Sequence, residues 1–402
     1  PSEMCIRDRL TTVIAAAVLF FFGESSVKGF ATMLLLGILM IFVTAVFISR
    51  WLLSLLVSSN FFKKSSWLFG VNKHHIADIN EGKEVHDLKT PYERWDFMKL
   101  AKPLLSLSVL ILIVGAVILF VFKLNLGIDF TSGTRVDFES KDKISEAKVT
   151  KTLEDQDFKP TQVSLGENGK NATVQFKNDL SKDEVSKIKD TIDKSFGNDP
   201  TVNTVSPVIG QELAKNAMMT LLYAAIGIII YITFRFEWRM GLSSVLALLH
   251  DAFMIVAVFS LFRLEVDITF IAAVLTIIGY SINDTIVTFD RVRENLHKVK
   301  VITKPEQIDD IVNRSIRQTM TRSINTVLTV IIVVVALLAF GAPSIFNFSL
   351  ALLIGLISGV FSSVFIAVPL WGIMKKRQLK KSNDNKLIVY KEKKSNDEKI
   401  LV

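Results

Sequence analysis

Apolar residues are gathered along this chain into blocks of about twenty, and polar stretches of varying length separate the blocks. A helix needs about 20 apolar residues to cross the hydrocarbon core of a bilayer, so each block is long enough to form one membrane span. Eight blocks fit, the first of them short: 10–22, 29–56, 103–122, 217–234, 242–262, 268–289, 323–340 and 346–373. The pattern predicts a polytopic α-helical membrane protein with about eight transmembrane helices.

The first two blocks repeat the last two. Residues 10–48, shifted by 318 positions, align without a gap on 328–366 and share 14 of 39 residues, including a Gly and a Ser of the connecting turn. Both pairs run in the same topological sense, which is typical of parallel repeats in transporters. We therefore interpret 10–56 as the last two spans of a first half and 103–373 as a complete second half. By the same logic, four further spans and an external domain are expected before Leu10.

The polar residues 123–216 are predicted to form a small α+β domain. Alternating and helical patterns predict a strand, a helix, two strands, a helix and a final strand. Asn168 and Gly169 are typical of a hairpin turn between the two middle strands. Ser181 and Glu184 predict a capping box at the start of the second helix. The order βαββαβ is the ferredoxin-like pattern, which hosts many functions.

The distribution of Lys and Arg predicts the orientation in the membrane. Basic residues crowd the linker 57–102, the tail 374–402 and the loops on the same side, whereas the short connections on the other side carry few. Because cytoplasmic loops carry the excess of Lys and Arg, both termini are expected in the cytoplasm. The domain 123–216, between the span 103–122 and the five-span bundle 217–373, is then extracytoplasmic.

Composition narrows the possible functions. Half of the 402 residues are hydrophobic, and the formal net charge of +8 lies mainly in juxtamembrane loops, which argues against a nucleic-acid partner and for contact with membrane lipids. The single cysteine, Cys5, lies in 1–9 (PSEMCIRDR), which resembles translated adapter sequence and is interpreted as non-native. No disulfide, metal site or organic cofactor is therefore expected. The chain also has no phosphate-loop motif and no nucleophile motif, so it is not expected to be an enzyme.

Three polar clusters interrupt the apolar spans of the second half. A charge inside a bilayer costs roughly 2.5–3.5 kcal/mol on insertion scales, so such residues usually face partners or a functional pathway. The candidates are His250 and Asp251 in ALLHD, Asn283 and Asp284 in GYSIND, and Arg322 and Asn325 in MTRSINT. Because ATP hydrolysis is not expected, these residues predict a proton or ion relay driven by a gradient.

Each candidate also has a structural interpretation. Asp284 is either a relay carboxylate or a packing carboxylate near the cytoplasmic end of its span. His250 is more often a packing histidine, Asp251 a hydrogen-bond partner between helices, and Arg322 an interfacial base. Taken together at related depths, the residues favour the relay.

Several segments resemble one family, the SecD/SecF components of bacterial protein export within the resistance-nodulation-division superfamily. GIDFTSGT is similar to the GIDFTGGT of SecF, with Ser132 in place of a glycine. VKGFATMLLLGI resembles the last helix of SecD, so the chain resembles part of a fused SecDF. The remaining matches resemble SecF membrane motifs in order and spacing: ALLHD at 247–251, IGYSINDTIVTFDRVREN at 278–295 and SIRQTMTRSINT at 315–326.

The resemblance implies an accessory subunit of the SecYEG translocon in the bacterial plasma membrane. Its implied partners are SecA, YajC and YidC-type proteins, with unfolded preproteins bound on the external side. In this family a flow of H⁺, or of Na⁺ in some members, helps to pull preproteins outward. Asp284 matches the relay aspartate of SecF, and Arg322 matches its relay arginine. The second relay aspartate of the family lies in a SecD span expected before Leu10, so half of a proton path is expected here.

Two other functions stay open from the sequence. An exporter of small molecules or lipids from the same superfamily would need large external loops in both halves, and only one loop of about ninety residues is visible. A scaffold without energy coupling would only anchor an external domain that binds emerging chains.

Overall fold

The computed structural model describes residues 25–58, 92–166, 169–197, 199–299, 301–381 and 387–388, and also residues 13, 16–17 and 20–21. The helices are α1 (Ser25–Ile41), α2 (Ser49–Ser58), α3 (Phe97–Phe122), α4 (Ile128–Thr131), α5 (Glu146–Glu154), α6 (Lys182–Phe196), α7 (Pro207–Arg235), α8 (Trp238–Leu261), α9 (Ile268–Val299), α10 (Pro305–Phe340), α11 (Phe346–Ser362) and α12 (Val368–Lys381). Within the described residues, six helices are long and apolar enough to cross a membrane: α3, α7, α8, α9, α10 and the continuous helix from α11 to α12.

Six spans in the described part confirm a polytopic helical protein, and the other two of the eight predicted blocks are 29–56 and 10–22. The block 29–56 is helical throughout, because α1, a π-helical segment (Phe42–Ile48) and α2 follow one another without a break. The predicted span 10–22 lies almost wholly outside the described residues.

Three of the long helices begin six or more residues before the predicted apolar blocks. Helix α3 starts inside the predicted linker 57–102, because the Asp96 side chain accepts a hydrogen bond from the Lys99 backbone N–H at 3.2 Å and caps the helix. Pro103 therefore lies within the helix and not at its start. Helices α7 and α10 each begin with a proline in the first turn, ten and eighteen residues before the predicted spans.

The polar residues between α3 and α7 form the predicted ferredoxin-like domain. Its strands are β2 (Gly133–Glu139), β3 (Gln162–Leu165), β4 (Asn171–Phe176) and β5 (Thr201–Val205), in the antiparallel order β3-β4-β2-β5. The capping box of Ser181 and Glu184 is present at the start of α6. Val136 and Val174 from the sheet and Ile188 from α6 are fully buried between the sheet and the two helices.

Short contacts join this domain to the membrane bundle. Strand β1 (Asn125–Leu126), which follows α3, pairs in parallel with β6 (Glu265–Val266), which precedes α9. The Ser260 hydroxyl at the end of α8 donates to the Lys123 carbonyl oxygen at 2.8 Å. These contacts hold the external domain at the side of the bundle where α3 and α8 end and α9 begins.

Helices α9 and α11 pack against each other through glycines. A Cβ atom on Gly355 would lie 2.5 Å from the side chain of Ile277, and one on Gly359 would lie 3.2 Å from Ser281. The G-x-x-x-G spacing therefore gives the close approach that small residues allow between membrane helices.

The helix from α11 to α12 contains a π-helical segment, Ser363–Ala367. The repeat offset of 318 places Phe42–Ile48 on 360–366, so the two π-helical segments overlap in the aligned repeats. Single π turns inside α-helices often occur at functional sites. Shared backbone irregularity adds a structural argument for the internal repeat.

Candidate ion-relay site

A cavity of about 420 Å³ lies between α9, α10 and α11. Asn283 and Asp284 from α9 and Arg322 from α10 line it, together with Tyr280 and with Ile41 at the end of α1. Most of the remaining lining is apolar. The structure thus brings together three of the six predicted relay residues around one space inside the membrane bundle.

Asp284 lies in the middle of the helix α9, toward the end of its apolar stretch. One of its carboxylate oxygens accepts a hydrogen bond from the Ser323 hydroxyl of α10. Within the described residues, the other oxygen, Oδ2, is buried and has no hydrogen-bond partner. A buried carboxylate oxygen without a donor is costly in its ionised form, so Asp284 is suited to hold a proton.

Arg322 and Asn325 differ in their relation to Asp284. Arg322 lines the same cavity, close enough for its guanidinium to attract the Asp284 carboxylate. Both residues are exposed, but Asn325 is absent from the cavity lining. The face of α10 that carries both residues also exposes apolar side chains such as Ile332. The geometry places Arg322, and not Asn325, beside the candidate relay carboxylate.

Asp251 of α8 is a second buried carboxylate, and its environment is different. Three serine hydroxyls donate to it at 2.6 Å: Ser358 to Oδ1, and Ser281 and Ser362 to Oδ2. The side chain is almost completely buried. These three hydrogen bonds join α8 to α9 and α11.

His250 lies beside Asp251 and away from the cavity. Its Nδ1 is 3.2 Å from Asp251 Oδ1, and its ring packs against Phe361 with 6.2 Å between the centroids. Ser281 connects the two carboxylate sites, because it donates to Asp251 and also lines the cavity of Asp284. The six predicted residues are thus distributed over a cavity, an adjoining hydrogen-bonded cluster and one exposed position.

Hydroxyl groups that are not among the predicted site residues hydrogen-bond to these carboxylates. Ser323 binds Asp284, Ser358 and Ser362 bind Asp251, and Ser363 forms a 2.8 Å hydrogen bond with Thr285. Their spacing in the sequence is the feature that indicates them. Small hydroxyl residues recur along one face of α9 and four residues apart in α11, inside otherwise apolar runs.

Acidic residues also gather at the joint between the external domain and the bundle. A cavity of about 700 Å³ there is lined by Asp129, Asp137, Glu212, Glu265, Asp267 and a single base, Arg135. Asp129 Oδ2 accepts from the Ile268 backbone N–H at 3.0 Å, and Asp267 Oδ1 accepts from that of Phe270 at 2.8 Å. Both carboxylates cap the first turn of α9, and Asp129 thereby connects the external domain to this helix.

Two carboxyl groups at this joint have raised pKa values. Burial raises the pKa of Glu265, the Arg135 guanidinium opposes the shift, and the Asp267 carboxylate adds to it. Burial also raises the pKa of Asp267, against hydrogen bonds from Thr269 and Phe270. A carboxyl with a raised pKa binds its proton more readily in the folded protein. Its contribution to stability is therefore present at low pH and is lost as the pH rises through the folded-state pKa.

Glu265→Gln is expected to flatten the dependence of thermal stability on pH between about pH 4 and pH 7. The neutral amide keeps an oxygen that can accept from Gln175, whose bond to Glu265 Oε2 is 2.5 Å, but it removes the titration. The measurement is the unfolding midpoint of the detergent-solubilised chain across this range. Glu154→Gln, on the exposed face of α5, is the control and is expected to keep the wild-type slope. Equal slopes of the unfolding midpoint against pH for wild type and Glu265→Gln would contradict the raised pKa of Glu265.

Two family profiles match the chain. The profile described as "Protein export membrane protein SecD/SecF, C-terminal" covers residues 184–377, and the "SecD/SecF GG Motif" covers residues 117–143. The first match contains all six predicted relay residues. The second contains the turn with Ser132 that leads into the external domain.

Curated relatives extend the match over nearly the whole chain. The protein translocase subunit SecF of Alicyclobacillus acidocaldarius is 42% identical over 298 residues, which cover 72% of this chain and 96% of that protein. The chain therefore belongs to the SecD/SecF family. The protein translocase subunit SecDF of Bacillus subtilis is 52% identical over 375 residues, or 93% of this chain and 51% of that protein. The chain thus spans about half the length of the SecDF relatives that it matches.

A solved structure agrees with the SecD/SecF assignment. The crystal structure of SecDF from Thermus thermophilus, described as a translocon-associated membrane protein, superimposes with a TM-score of 0.75 at 29% identity. The match covers 94% of this chain and 49% of the solved chain. This agreement confirms the predicted fold class, a helical membrane bundle of the SecDF type with one small external domain.

Proposed function

We propose that this chain is part of an accessory translocase subunit that uses a proton gradient to promote preprotein export across the bacterial plasma membrane. Asp284 is the group that takes up and releases the coupling ion. The supporting observation is its environment: a buried carboxylate in the long apolar helix α9, with an oxygen that has no partner in the described residues, in a cavity that also holds Arg322.

The relay acts through opposite influences on one carboxylate. The Ser323 hydroxyl and the Arg322 guanidinium favour the ionised form, whereas the buried, mostly apolar surroundings favour the protonated form. A small movement of α10 against α9 changes the balance, because Ser323 and Arg322 both belong to α10. Protonation of Asp284 is thereby tied to the arrangement of the two helices.

The orientation follows from the basic loops. Both termini are placed in the cytoplasm, and residues 123–216 are extracytoplasmic. At the joint, Asp129 of the external domain caps α9. This contact links the helix that carries Asp284 to the external domain. Movement of α9 on protonation is transmitted through this joint to the domain that meets emerging preproteins.

We propose partners from the export machinery, because the relatives are named protein translocase subunits. These partners are the SecYEG translocon, SecA, YajC and YidC-type proteins, and unfolded preproteins on the external side. The coupling ion is H⁺, with Na⁺ as the alternative for the same carboxylate. No organic cofactor takes part.

The proposal is tested by reconstituting export with and without this subunit. Vesicles that contain the translocon and its ATP-driven motor receive a preprotein, and an ionophore dissipates the proton gradient. Export is expected to slow on dissipation by a larger factor when the subunit is present. An equal ionophore effect in both preparations would contradict coupling. Replacing the proton gradient with a sodium gradient separates the two ions.

A further inference from the structure

A basic groove lies at the end of the bundle opposite the external domain. The start of α8 and the end of α12 form it, and its volume is about 710 Å³. Four basic residues line it, Arg239, Arg377, Lys380 and Lys381, and Trp238 and Met374 supply apolar surface beside them. Among the described residues, its lining contains no acidic side chain, so the groove offers a positive field to whatever occupies it.

The carboxylate nearest to the groove is already engaged. Glu237 accepts from Arg239 at 2.8 Å and from Lys375 at 3.0 Å through both of its oxygens. The Arg239 guanidinium also stacks on the Trp238 ring, 4.5 Å from its centroid. Arg377, Lys380 and Lys381 are exposed, and none of them forms an ion pair with another residue in the part of the chain that the structure describes.

An apolar stripe leads from the groove into the membrane span. Trp238 is 59% exposed, and on the same face of α8 follow Leu242, Leu246 and Leu249, exposed by 43%, 43% and 61%. The spacings of four, eight and eleven residues place these side chains one above another along the helix. A tryptophan between a charged surface and an apolar stripe is typical of the headgroup level of a bilayer.

We propose that this groove binds the phosphate headgroup of an anionic phospholipid, with an acyl chain along Leu242, Leu246 and Leu249. Basic pockets between membrane helices on the cytoplasmic side suit such headgroups, and each Lys or Arg adds attraction to an anionic leaflet. A free phosphate ion would contact only the basic side chains, whereas a lipid would also place an acyl chain on the apolar stripe. The stripe therefore favours a lipid. It also favours a lipid over an acidic protein segment, because the stripe runs inside the span. The inference does not depend on the proposed ion relay.

The test is lipid binding by the delipidated, full chain in uncharged detergent. Phosphatidylglycerol and phosphatidylcholine with identical acyl chains are titrated separately, and the bound lipid is counted by native mass spectrometry. Phosphatidylglycerol is expected to bind at least about tenfold more tightly. The triple variant R377A/K380A/K381A is expected to weaken phosphatidylglycerol binding on the order of a hundredfold, at about fivefold per cation, and to leave phosphatidylcholine unchanged.

The control variant removes the same charge elsewhere on the same side. R94A/K99A/K102A changes three exposed cations at the start of α3, and it is expected to alter phosphatidylglycerol binding by less than about threefold. Inorganic phosphate is added as a competitor and is expected to displace little of the lipid. Equal binding of the two lipids, an equal loss in both triple variants, or full displacement by matched phosphate would each overturn the lipid assignment.

Discussion

Asp284→Asn is expected to make preprotein export insensitive to the proton gradient while the ATP-driven part continues. Asparagine keeps the size of the side chain and an oxygen that can accept from Ser323, but it cannot bind and release a proton at physiological pH. The rate of export in vesicles is measured with an intact gradient and after addition of an ionophore. With the full-length protein carrying Asp284→Asn, we expect the gradient-dependent increment to fall by at least about tenfold, as for loss of a general acid–base group.

The matched control for this experiment is Asp309→Asn. Asp309 pairs with Lys376 at the end of the bundle and does not line the cavity of Asp284. Its substitution removes the same charge and is expected to leave the gradient-dependent increment intact. A gradient response of wild-type size in Asp284→Asn would show that the carboxylate is a packing group. A lost response in Asp309→Asn would show a general effect of charge.

Asp251→Ala is expected to cause the largest loss of stability among substitutions of the buried polar residues. It leaves the hydroxyls of Ser281, Ser358 and Ser362 without their acceptor between three packed helices. A buried polar group that loses its partner costs about 1–3 kcal/mol, and serine can partly recover by binding its own helix, as Ser362 does with Gly359 at 3.2 Å. We expect a net loss of about 2–4 kcal/mol in the free energy of unfolding in detergent.

Asp309→Ala provides the comparison for stability. This variant breaks the ion pair with Lys376, in which both side chains are partly exposed, and such pairs contribute about 0–1 kcal/mol. Asp251→Asn keeps the shape and one acceptor, so its loss is expected to lie between the two alanine variants. Unfolding energies that agree within about 0.5 kcal/mol for Asp251→Ala and Asp309→Ala would contradict a structural role for the serine cluster.

The hydrophobic pattern predicted the six long spans well, because a helix in lipid must carry an uninterrupted apolar stretch. It failed at the starts of α3, α7 and α10, where the helix continues beyond the apolar block. Those turns are polar and are held by local capping or tertiary contacts, such as the Asn313 amide that donates to Asp96 at 2.9 Å. Such contacts leave no trace in the hydropathy pattern, so the starts of these helices could not be predicted from that pattern.

The candidate site was predicted in part for a similar reason. Asp284 and Arg322 are conspicuous in the sequence because a charge in an apolar span needs an explanation. Ser323, Ser358 and Ser362 carry no charge, and a serine in a membrane helix is as often a packing residue as a ligand. Only the packing of α8, α9, α10 and α11 shows which carboxylate each hydroxyl reaches. Asn325 was grouped with them by depth alone, and it does not line the cavity of Asp284.

The most direct test of the relay is proton movement itself. Vesicles that contain the translocon and the full-length protein are loaded with a pH-sensitive dye, a pH gradient is imposed, and its decay is followed during preprotein export. The relay predicts that export accelerates the decay in wild type and that Asp284→Asn decays at the rate of vesicles without the subunit. An accelerated decay of wild-type size in Asp284→Asn would contradict the assignment of this carboxylate as the ion carrier.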